Sequence, residues 1–215
     1  MKNIAVIEHP LVAHYLTILR EKQTPTSEFK YSIDRLSFII ASIFYSELKA
    51  EKVHITTPLK ATTGSKIKQS VVLLPILRAG LGLTRGFTEL FPEARVSHMG
   101  LYRDEESLKP IKYYFKFPAL KDKKDAKVIV LDPMIATGGS VIFTIEYLLN
   151  MGFRDINVVS LLCAPEGLKA IDNRFDAKEK KYFRLYTCSI DEKLNEKGYI
   201  VPGLGDAGDR IFGTI

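Results

Sequence analysis

Residues 127–152 read KVIVLDPMIATGGSVIFTIEYLLNMG and combine three features in one short stretch. Residues 128–131 are wholly apolar and rich in β-branched side chains, which predicts a buried parallel strand that ends at Asp132. Small residues follow at 136–140, and apolar side chains then recur at helical spacing as far as Gly152. The stretch therefore predicts a strand, a tight turn and a helix, and this unit decides the fold.

The turn between this strand and this helix has the composition of a phosphate-binding cup. Gly138 and Gly139 let the backbone approach an anion closely, and the first helical N–H groups point toward it. Thr137 and Ser140 can add hydroxyl donors, while Asp132 can accept hydrogen bonds from sugar hydroxyls. Hydrogen bonds to a charged group contribute about 1.5–3 kcal/mol each, so several on one phosphate hold it firmly. The alternative is an ordinary strand-to-helix connection capped by Ser140, because Gly-Gly-Ser turns are common.

The composition is that of a soluble globular protein. The chain has 215 residues, 46% of them hydrophobic and 26% charged, which is enough for one large α/β domain. Its net charge of +6 suits a polyanionic ligand but is too small to indicate nucleic acid by itself. Cys163 and Cys188 form no paired motif, so we expect neither a disulfide nor a zinc site. With no signal-peptide pattern and no membrane-length apolar run, the sequence predicts a cytoplasmic protein.

Apolar patterns along the rest of the chain predict the other elements of an α/β domain. Residues 1–50 are expected to form an N-terminal helical segment, residues 53–58 a strand and residues 60–69 a polar turn region. Further strands are predicted at 71–75, 95–101, 156–164 and 182–190, with helices up to residue 91 and over 165–175. No repeat or linker interrupts these patterns, so we expect one domain over residues 1–215.

Two arginines lie beside predicted strand ends. Arg78 follows the apolar strand 71–75 and precedes a pair of glycines. That position places a cationic fork at the carboxyl edge of the sheet, where α/β folds bind ligands, although a structural ion pair is the alternative. Arg103 lies at the base of the polar, lysine-rich segment 102–127, which we expect to be a flexible lid. A hairpin that closes over a charged ligand is the favoured form of this lid.

The C-terminal residues are dense in glycine. Residues 203–208 read GLGDAG and match a dinucleotide-binding pattern letter for letter. That pattern needs a following helix and an acidic residue about twenty positions later, and only seven residues follow Gly208. We therefore reject a dinucleotide site and favour a loop whose exposed backbone reads a small planar ligand. A coiled terminus without function is the alternative.

Together these stretches resemble the uracil phosphoribosyltransferase family. The matching sequences are PILRAGLG at 75–82, YR at 102–103, DPMIATGGS at 132–140, APEG at 164–167 and GYIVPGLGDAGDRIFGT at 198–214. Other phosphoribosyltransferases resemble only the Asp-to-Ser turn, often with two adjacent acidic residues, whereas Pro133 occupies the second position here. The resemblance implies an α/β fold, the type I phosphoribosyltransferase core, with a mainly parallel sheet flanked by helices. It also implies a C-terminal hood, residues 182–215, over the base site.

The same resemblance implies an activity. A member of this family transfers the 5-phosphoribosyl group from phosphoribosyl pyrophosphate to uracil, giving UMP and pyrophosphate in pyrimidine salvage. It implies Mg²⁺ bound through phosphoribosyl pyrophosphate. We also expect a homo-oligomer (dimer or higher) and no membrane or nucleic-acid partner. Allosteric regulation by GTP stays open, because little of the family's pattern is recognisable in residues 24–70 and 107–127. The alternative is a regulator or sensor on the same fold that binds nucleotide or RNA.

The resemblance also implies roles for individual residues. The implied catalytic residues are Arg78, Arg103, Asp132 and Asp206. Phosphoribosyl pyrophosphate would be bound by Arg78, Arg103, Asp132, Pro133, Met134, Ile135, Ala136, Thr137, Gly138, Gly139, Ser140 and Asp206. Uracil would be held, largely by backbone groups, at Ile200, Gly205, Asp206 and Ala207. The chemistry agrees, because displacement of pyrophosphate at the anomeric carbon builds oxocarbenium character and requires a neutralised leaving group and excluded water.

Overall fold

The computed structural model describes residues 3–103 and 110–214, without the side chain of Arg103. The helices are α1 (Pro10–Arg20), α2 (Thr26–Tyr45), α3 (Thr84–Leu90), α4 (Gly139–Asn150), α5 (Pro165–Arg174) and α6 (Ala207–Phe212), with 3-10 turns at Ala79–Leu83 and Lys180–Tyr182. The first strands are β1 (Ile4–Val6), β2 (Ala50–Thr56), β3 (Ala61–Ile67), β4 (Val71–Leu77), β5 (Arg95–Val96), β6 (His98–Arg103) and β7 (Pro110–Lys116). The remaining strands are β8 (Lys127–Leu131), β9 (Met134–Ile135), β10 (Asp155–Cys163), β11 (Phe183–Ile190), β12 (Lys193–Leu194) and β13 (Ile200–Val201).

A mainly parallel sheet forms the centre of the structure. Its strand order is β1-β11-β10-β8-β4-β6-β7, with β5 beside β4 and β9 beside β10. Among the described residues its pairings are parallel except that of β6 with β7. The apolar run in β8 is buried along its whole length, as a central parallel strand requires. The predicted α/β class with a mainly parallel sheet is confirmed.

Helices cover the two faces of the sheet, and alternate strand residues point to opposite faces. Leu73 and Ile129 pack in one buried cluster with side chains of α1, α2 and α3. Leu74 and Val130 pack in a second cluster with side chains of α4 and α5. Each fully buried Leu, Ile or Val side chain contributes about 1.5–3 kcal/mol to folding. This packing makes β4 and β8 a rigid support for whatever lies at their carboxyl ends.

Two parts of the predicted secondary structure are wrong. The segment 1–50 is not wholly helical, because Ile4–Val6 forms β1, parallel to β11 at the sheet edge. The polar turn region 60–69 contains a strand, since Ala61–Ile67 pairs antiparallel with Ala50–Thr56. Most residues of these strands are exposed, so neither shows the alternation of apolar and polar side chains that reveals a strand in sequence.

The hairpin predicted within the lid segment 102–127 is present as far as the described residues allow. β6 and β7 are antiparallel neighbours, with Arg103 opposite Pro110. Residues 104–109, which connect the two strands, lie outside the described residues. Closure of this hairpin over a ligand therefore stays a prediction.

Two predictions from composition can be compared with the structure. Cys163 and Cys188 are free thiols, both buried, and burial raises the pKa of the Cys163 thiol to about 11. Cys163 is fully buried and is part of the core. None of the helices in the two described ranges is long and apolar enough to cross a membrane.

Candidate active site

The turn after β8 is held against β10 by backbone hydrogen bonds. The Pro133 carbonyl accepts from the N–H groups of Leu161 and Leu162 at 2.9 and 3.1 Å. The next two residues form β9, which continues the pairing with β10. Pro133 and Ile135 are buried, so their side chains build the turn and do not face a ligand. Asp132 is left half-buried at the open side of this edge.

Two glycines let the turn lie directly against the start of α5. Gly138 has φ +81°, and a Cβ built on it would lie 2.8 Å from the Gly167 carbonyl oxygen. A Cβ on Gly167 would in turn lie 2.3 Å from the carbonyl oxygen of Ala136. Sequence reasoning placed Gly167 in a matching motif but missed this role, because no local pattern signals a contact between distant segments. Gly138 therefore serves backbone packing as well as any ligand.

The first N–H groups of α4, which have no partner within the helix, point toward the turn. The first i to i−4 bond of the helix joins the Ile142 N–H to the Gly138 carbonyl at 2.9 Å. The N–H groups of Gly139, Ser140 and Val141 precede that bond and carry the partial positive charge of a helix N-terminus. Gly138 is the N-cap residue and Ser140 lies inside the helix, so the alternative of a helix capped by Ser140 is wrong.

Gly139 is not tightly packed by any of the described residues. A Cβ built on Gly139 would have its nearest described neighbours at 3.9 Å, the Thr137 hydroxyl, and at 4.0 Å, Cδ of Pro110. Pro110 pairs with Arg103, so the end of the β6–β7 hairpin that leads into residues 104–109 lies beside the cup. Only the backbone of Arg103 is described, and it ends β6 at this place.

The carboxyl group of Asp132 has an unusual protonation equilibrium. Burial raises its pKa to about 7, and a long hydrogen bond from the Met134 N–H, 3.5 Å from Oδ1, opposes that rise. Asp132 is therefore only partly ionised near neutral pH. A ligand that donates hydroxyl hydrogens to this carboxyl would favour the ionised form.

Arg78 lies at the same sheet edge as Asp132. β4 and β8 are adjacent, with Pro75 opposite Leu131. A Cβ on Gly80 would lie 2.3 Å from the Leu131 carbonyl oxygen, so the 3-10 turn after Arg78 rests on the end of β8. The prediction that Arg78 and Asp132 occupy one edge is confirmed.

The guanidinium of Arg78 bonds to the C-terminal segment. Its Nη2 lies 3.0 Å from Oδ1 of Asp209, and its Nη1 lies 3.5 Å from the Thr214 hydroxyl. The Thr214 hydroxyl and Arg78 together hold the pKa of Asp209 below its usual range. Arg78 thus forms an ion pair, which the sequence analysis gave as the alternative to a ligand-binding role. However, 56% of its side chain is exposed and open to a ligand.

The glycine-dense tail folds over this edge. Asp206 is the N-cap residue of α6, with its Oδ1 accepting from the Asp209 N–H at 2.9 Å. A Cβ on Gly208 would lie 3.2 Å from that Oδ1 and 3.7 Å from Nη2 of Arg78, so the carboxylate and the guanidinium are close neighbours. Residues 207–212 form a helix, so the terminus is not wholly coil.

The predicted uracil residues offer backbone groups at this place. The side chains of Ile200 and Ala207 are buried, each with 5% exposure, and Gly205 has φ +81°. At Ile200, Gly205 and Ala207 the peptide groups are therefore the polar atoms available, and Asp206 adds a carboxylate that caps α6. The structure therefore brings the tail, Arg78 and the edge of β8 together. A groove of about 820 Å³ lies elsewhere, beside the start of β11.

Comparison with known proteins identifies the family. A family model described as uracil phosphoribosyltransferase matches residues 6–214. The uracil phosphoribosyltransferase of Lactococcus lactis subsp. lactis is 46% identical over 217 aligned positions, and the alignment covers 100% of both chains. That of Pediococcus pentosaceus is 45% identical over 215 positions with the same coverage.

Solved structures agree with this match. The AQ2163 protein from Aquifex aeolicus has a TM-score of 0.88 at 33% identity, over 97% of each chain. A hypoxanthine-guanine phosphoribosyltransferase from Bacillus anthracis has a TM-score of 0.50 at 12% identity, over 77% of this chain and 80% of that one, and so shares the fold alone. The fold is that of the type I phosphoribosyltransferases, and the chain belongs to the uracil phosphoribosyltransferase family.

Proposed function

We propose that this protein transfers the 5-phosphoribosyl group from phosphoribosyl pyrophosphate to uracil, giving UMP and pyrophosphate. The observation that carries the proposal is the glycine-lined start of α4, which lies at the same sheet edge as Arg78. An anion site and an exposed guanidinium suit a substrate with phosphate groups at both ends of a ribose. The full-length relatives named uracil phosphoribosyltransferase support the choice of base.

The proposed binding roles follow the order of groups along the substrate. Residues 132–140 hold the ribose 5-phosphate and the ribose, with N–H groups of α4 on the phosphate and Asp132 on the ribose hydroxyls. Arg78 and Arg103 contact the pyrophosphate. Asp206, close to Arg78, faces the ribose and the metal.

Mg²⁺ is proposed to arrive bound to phosphoribosyl pyrophosphate. Among residues 3–103 and 110–214 no group of three or more His, Cys, Asp or Glu side chains could hold a metal ion. Mg²⁺ commonly uses one or two carboxylates together with substrate phosphates, and Asp132 and Asp206 fit that requirement. The ion would supply charge neutralisation on the leaving pyrophosphate.

The protein's own groups account for the rest of the catalysis. Positive charge builds on the ribose as the bond to pyrophosphate breaks, and the ionised Asp132 carboxylate stabilises that charge. Arg78 stabilises the negative charge that grows on the departing pyrophosphate. The hairpin above Gly139 and the tail exclude water, which would otherwise attack the ribose.

The tail is proposed to hold uracil through peptide groups. Uracil presents two carbonyls and the N3–H in alternation along one edge, which backbone donors and acceptors near Gly205 and Ala207 can match. A site with buried groups aimed at that edge discriminates strongly against cytosine, because the wrong base leaves those groups unpaired. The regulator that binds nucleotide or RNA is not proposed. Regulation by GTP and a cytoplasmic location stay predictions from the sequence.

The first prediction concerns the base. With Mg²⁺ and phosphoribosyl pyrophosphate, uracil should release pyrophosphate faster than cytosine, adenine, hypoxanthine or orotate, each assayed at the same concentration. Chelation of Mg²⁺ should abolish the uracil-dependent signal. Faster release with any other base would contradict the proposal.

We also propose that the protein is a homo-oligomer. The β2–β3 hairpin is exposed on both faces, with Leu59 at its tip 95% exposed and Ile55 40% exposed. An isolated two-stranded hairpin is at best marginally stable in water, so packing against a second copy would explain why it forms. Sedimentation of the full chain should give the mass of a dimer or more, and a monomer would refute this proposal.

A further inference from the structure

We infer that Arg20 and Asp191 position the loop that holds the base, so that an ion pair outside the loop sets its affinity for uracil. The inference rests on the proposed function and extends it to two residues that the sequence motifs do not include. It starts from the contacts of Gly203, which lies between the buried Ile200 and the glycine at 205.

Arg20 and Asp191 form a bidentate pair between α1 and the end of β11. Nη1 of Arg20 lies 2.7 Å from Oδ2 of Asp191, and Nη2 lies 2.6 Å from Oδ1. The Asp191 side chain is 2% exposed and the Arg20 side chain 25%. The Ser189 hydroxyl accepts from Arg20 at 3.2 Å and donates to Asp191 at 2.9 Å. This geometry fixes both charged groups.

The same pair holds Gly203 by both of its backbone polar groups. The Gly203 N–H donates to Oδ2 of Asp191 at 2.9 Å, and its carbonyl accepts from Nη1 of Arg20 at 3.0 Å. Gly203 has φ +61°, and a Cβ there would lie 2.1 Å from the Ile200 carbonyl oxygen. The tight turn therefore needs glycine, and the ion pair determines where that turn lies.

A second arginine ties the loop to the same end of α1. Nη1 of Arg210 donates to the Leu204 carbonyl at 2.8 Å, and its Nη2 donates to the Glu21 carbonyl at 2.7 Å. Residues 203 and 204 are thus fastened to the C-terminal end of α1 from two directions. The loop that follows carries Gly205, Asp206 and Ala207, the proposed uracil residues.

A buried ion pair is weak support for stability, because desolvation cancels much of its attraction. The hydrogen bonds of Arg20 and Asp191 to Gly203 give the pair a second consequence. A loop that binds through peptide groups needs those groups at fixed positions, and misplacement by about 1 Å can cost on the order of 10²-fold in rate. Positioning the peptide groups is therefore the role we assign.

The test is Arg20→Lys in the full-length protein. Lysine keeps the charge, but one ammonium cannot reproduce the fork that reaches both carboxylate oxygens and the Gly203 carbonyl. We expect the KM for uracil to rise about tenfold or more, and the KM for phosphoribosyl pyrophosphate to rise by a smaller factor, because Asp206 is the one residue of the loop assigned to that substrate as well. Deuterium exchange should become faster in residues 198–206.

Two further variants make the result decisive. Ser189→Ala removes one hydroxyl of the network and should give a smaller rise in the KM for uracil. If Arg20→Lys does not fold, this variant tests the positioning role in its place. Arg85→Lys is the matched control, since Arg85 forms exposed ion pairs with Asp34 and Glu89 and should leave both KM values unchanged.

The outcomes separate this inference from the proposed function. A wild-type protein that makes no UMP refutes the proposed function before any variant is compared. An active wild type whose variants leave the KM for uracil unchanged, or raise both KM values equally, overturns the positioning role alone. A selective rise for uracil together with faster exchange in 198–206 supports it.

Discussion

Arg78→Ala is expected to lower turnover at saturating substrates by on the order of 10²-fold or more. The guanidinium lies at the rigid edge of the sheet, beside Asp206 and half-exposed to ligand. Negative charge grows on pyrophosphate as it leaves, so the loss should fall on kcat. A contact made equally with the bound substrate would instead raise KM and leave kcat unchanged.

Stability should hardly change in this variant. The ion pair of Arg78 with Asp209 is exposed, and exposed ion pairs contribute little to folding stability. Arg85→Ala is the matched control, because Arg85 is as exposed, also pairs with carboxylates, and lies outside the proposed site. Steady-state kinetics and thermal unfolding of both variants check the prediction. An Arg78→Ala protein with near-normal turnover, or one impaired chiefly in uracil affinity, would remove Arg78 from the pyrophosphate site.

The sequence predicted those parts of the site whose signals are local. The strand, turn and helix of residues 127–152 are adjacent in the chain, and each has its own pattern of apolar or small residues. Arg78 could be placed because it follows a second buried strand, and parallel strands end at one edge. The site residues of the C-terminal tail were predicted from the family resemblance. The glycine-dense sequence by itself was also compatible with a coil.

Features that depend on distant contacts could not be predicted. Gly167 looks like any glycine at a helix start until it meets the carbonyl of Ala136. Arg20 lies in the last turn of a helix, where a basic residue is ordinary, and its partner Asp191 is 171 positions away. β1 and β3 are strands because they pair with β11 and β2. Their mostly exposed residues show no alternation of apolar and polar side chains that would predict a strand.

Asp132 gives the second large effect, which is a dependence on pH. Because burial raises its pKa to about 7, the ionised fraction should fall from about nine-tenths at pH 8 to about one-tenth at pH 6. The carboxylate is the form that stabilises positive charge on the ribose. We expect kcat/KM for phosphoribosyl pyrophosphate to fall about tenfold over that interval, since kcat/KM reports the free enzyme.

Asp132→Asn provides the control for this profile. The substrate's own phosphates titrate near pH 6, and they do so equally with both proteins. The ratio of wild-type to variant kcat/KM therefore isolates Asp132 and should rise with pH through about 7. A ratio that stays constant from pH 6 to pH 8 would show that Asp132 does not act as a carboxylate in the reaction.

The folding stability of the wild-type protein should change with pH in the opposite sense to kcat/KM, and should therefore fall as the pH rises. The folded-state pKa of Asp132 is raised above its unfolded value of about 3.9, so the folded protein retains a proton that the unfolded chain releases. The stability contributed by that proton is fully present below about pH 4 and is lost as the pH rises through about 7. Asp132→Asn carries no ionisable group there, so its stability relative to wild type should increase over this interval. Denaturant unfolding at pH 5 and pH 8 measures the change, and a variant whose relative stability falls at pH 8 would contradict the burial of an ionisable Asp132.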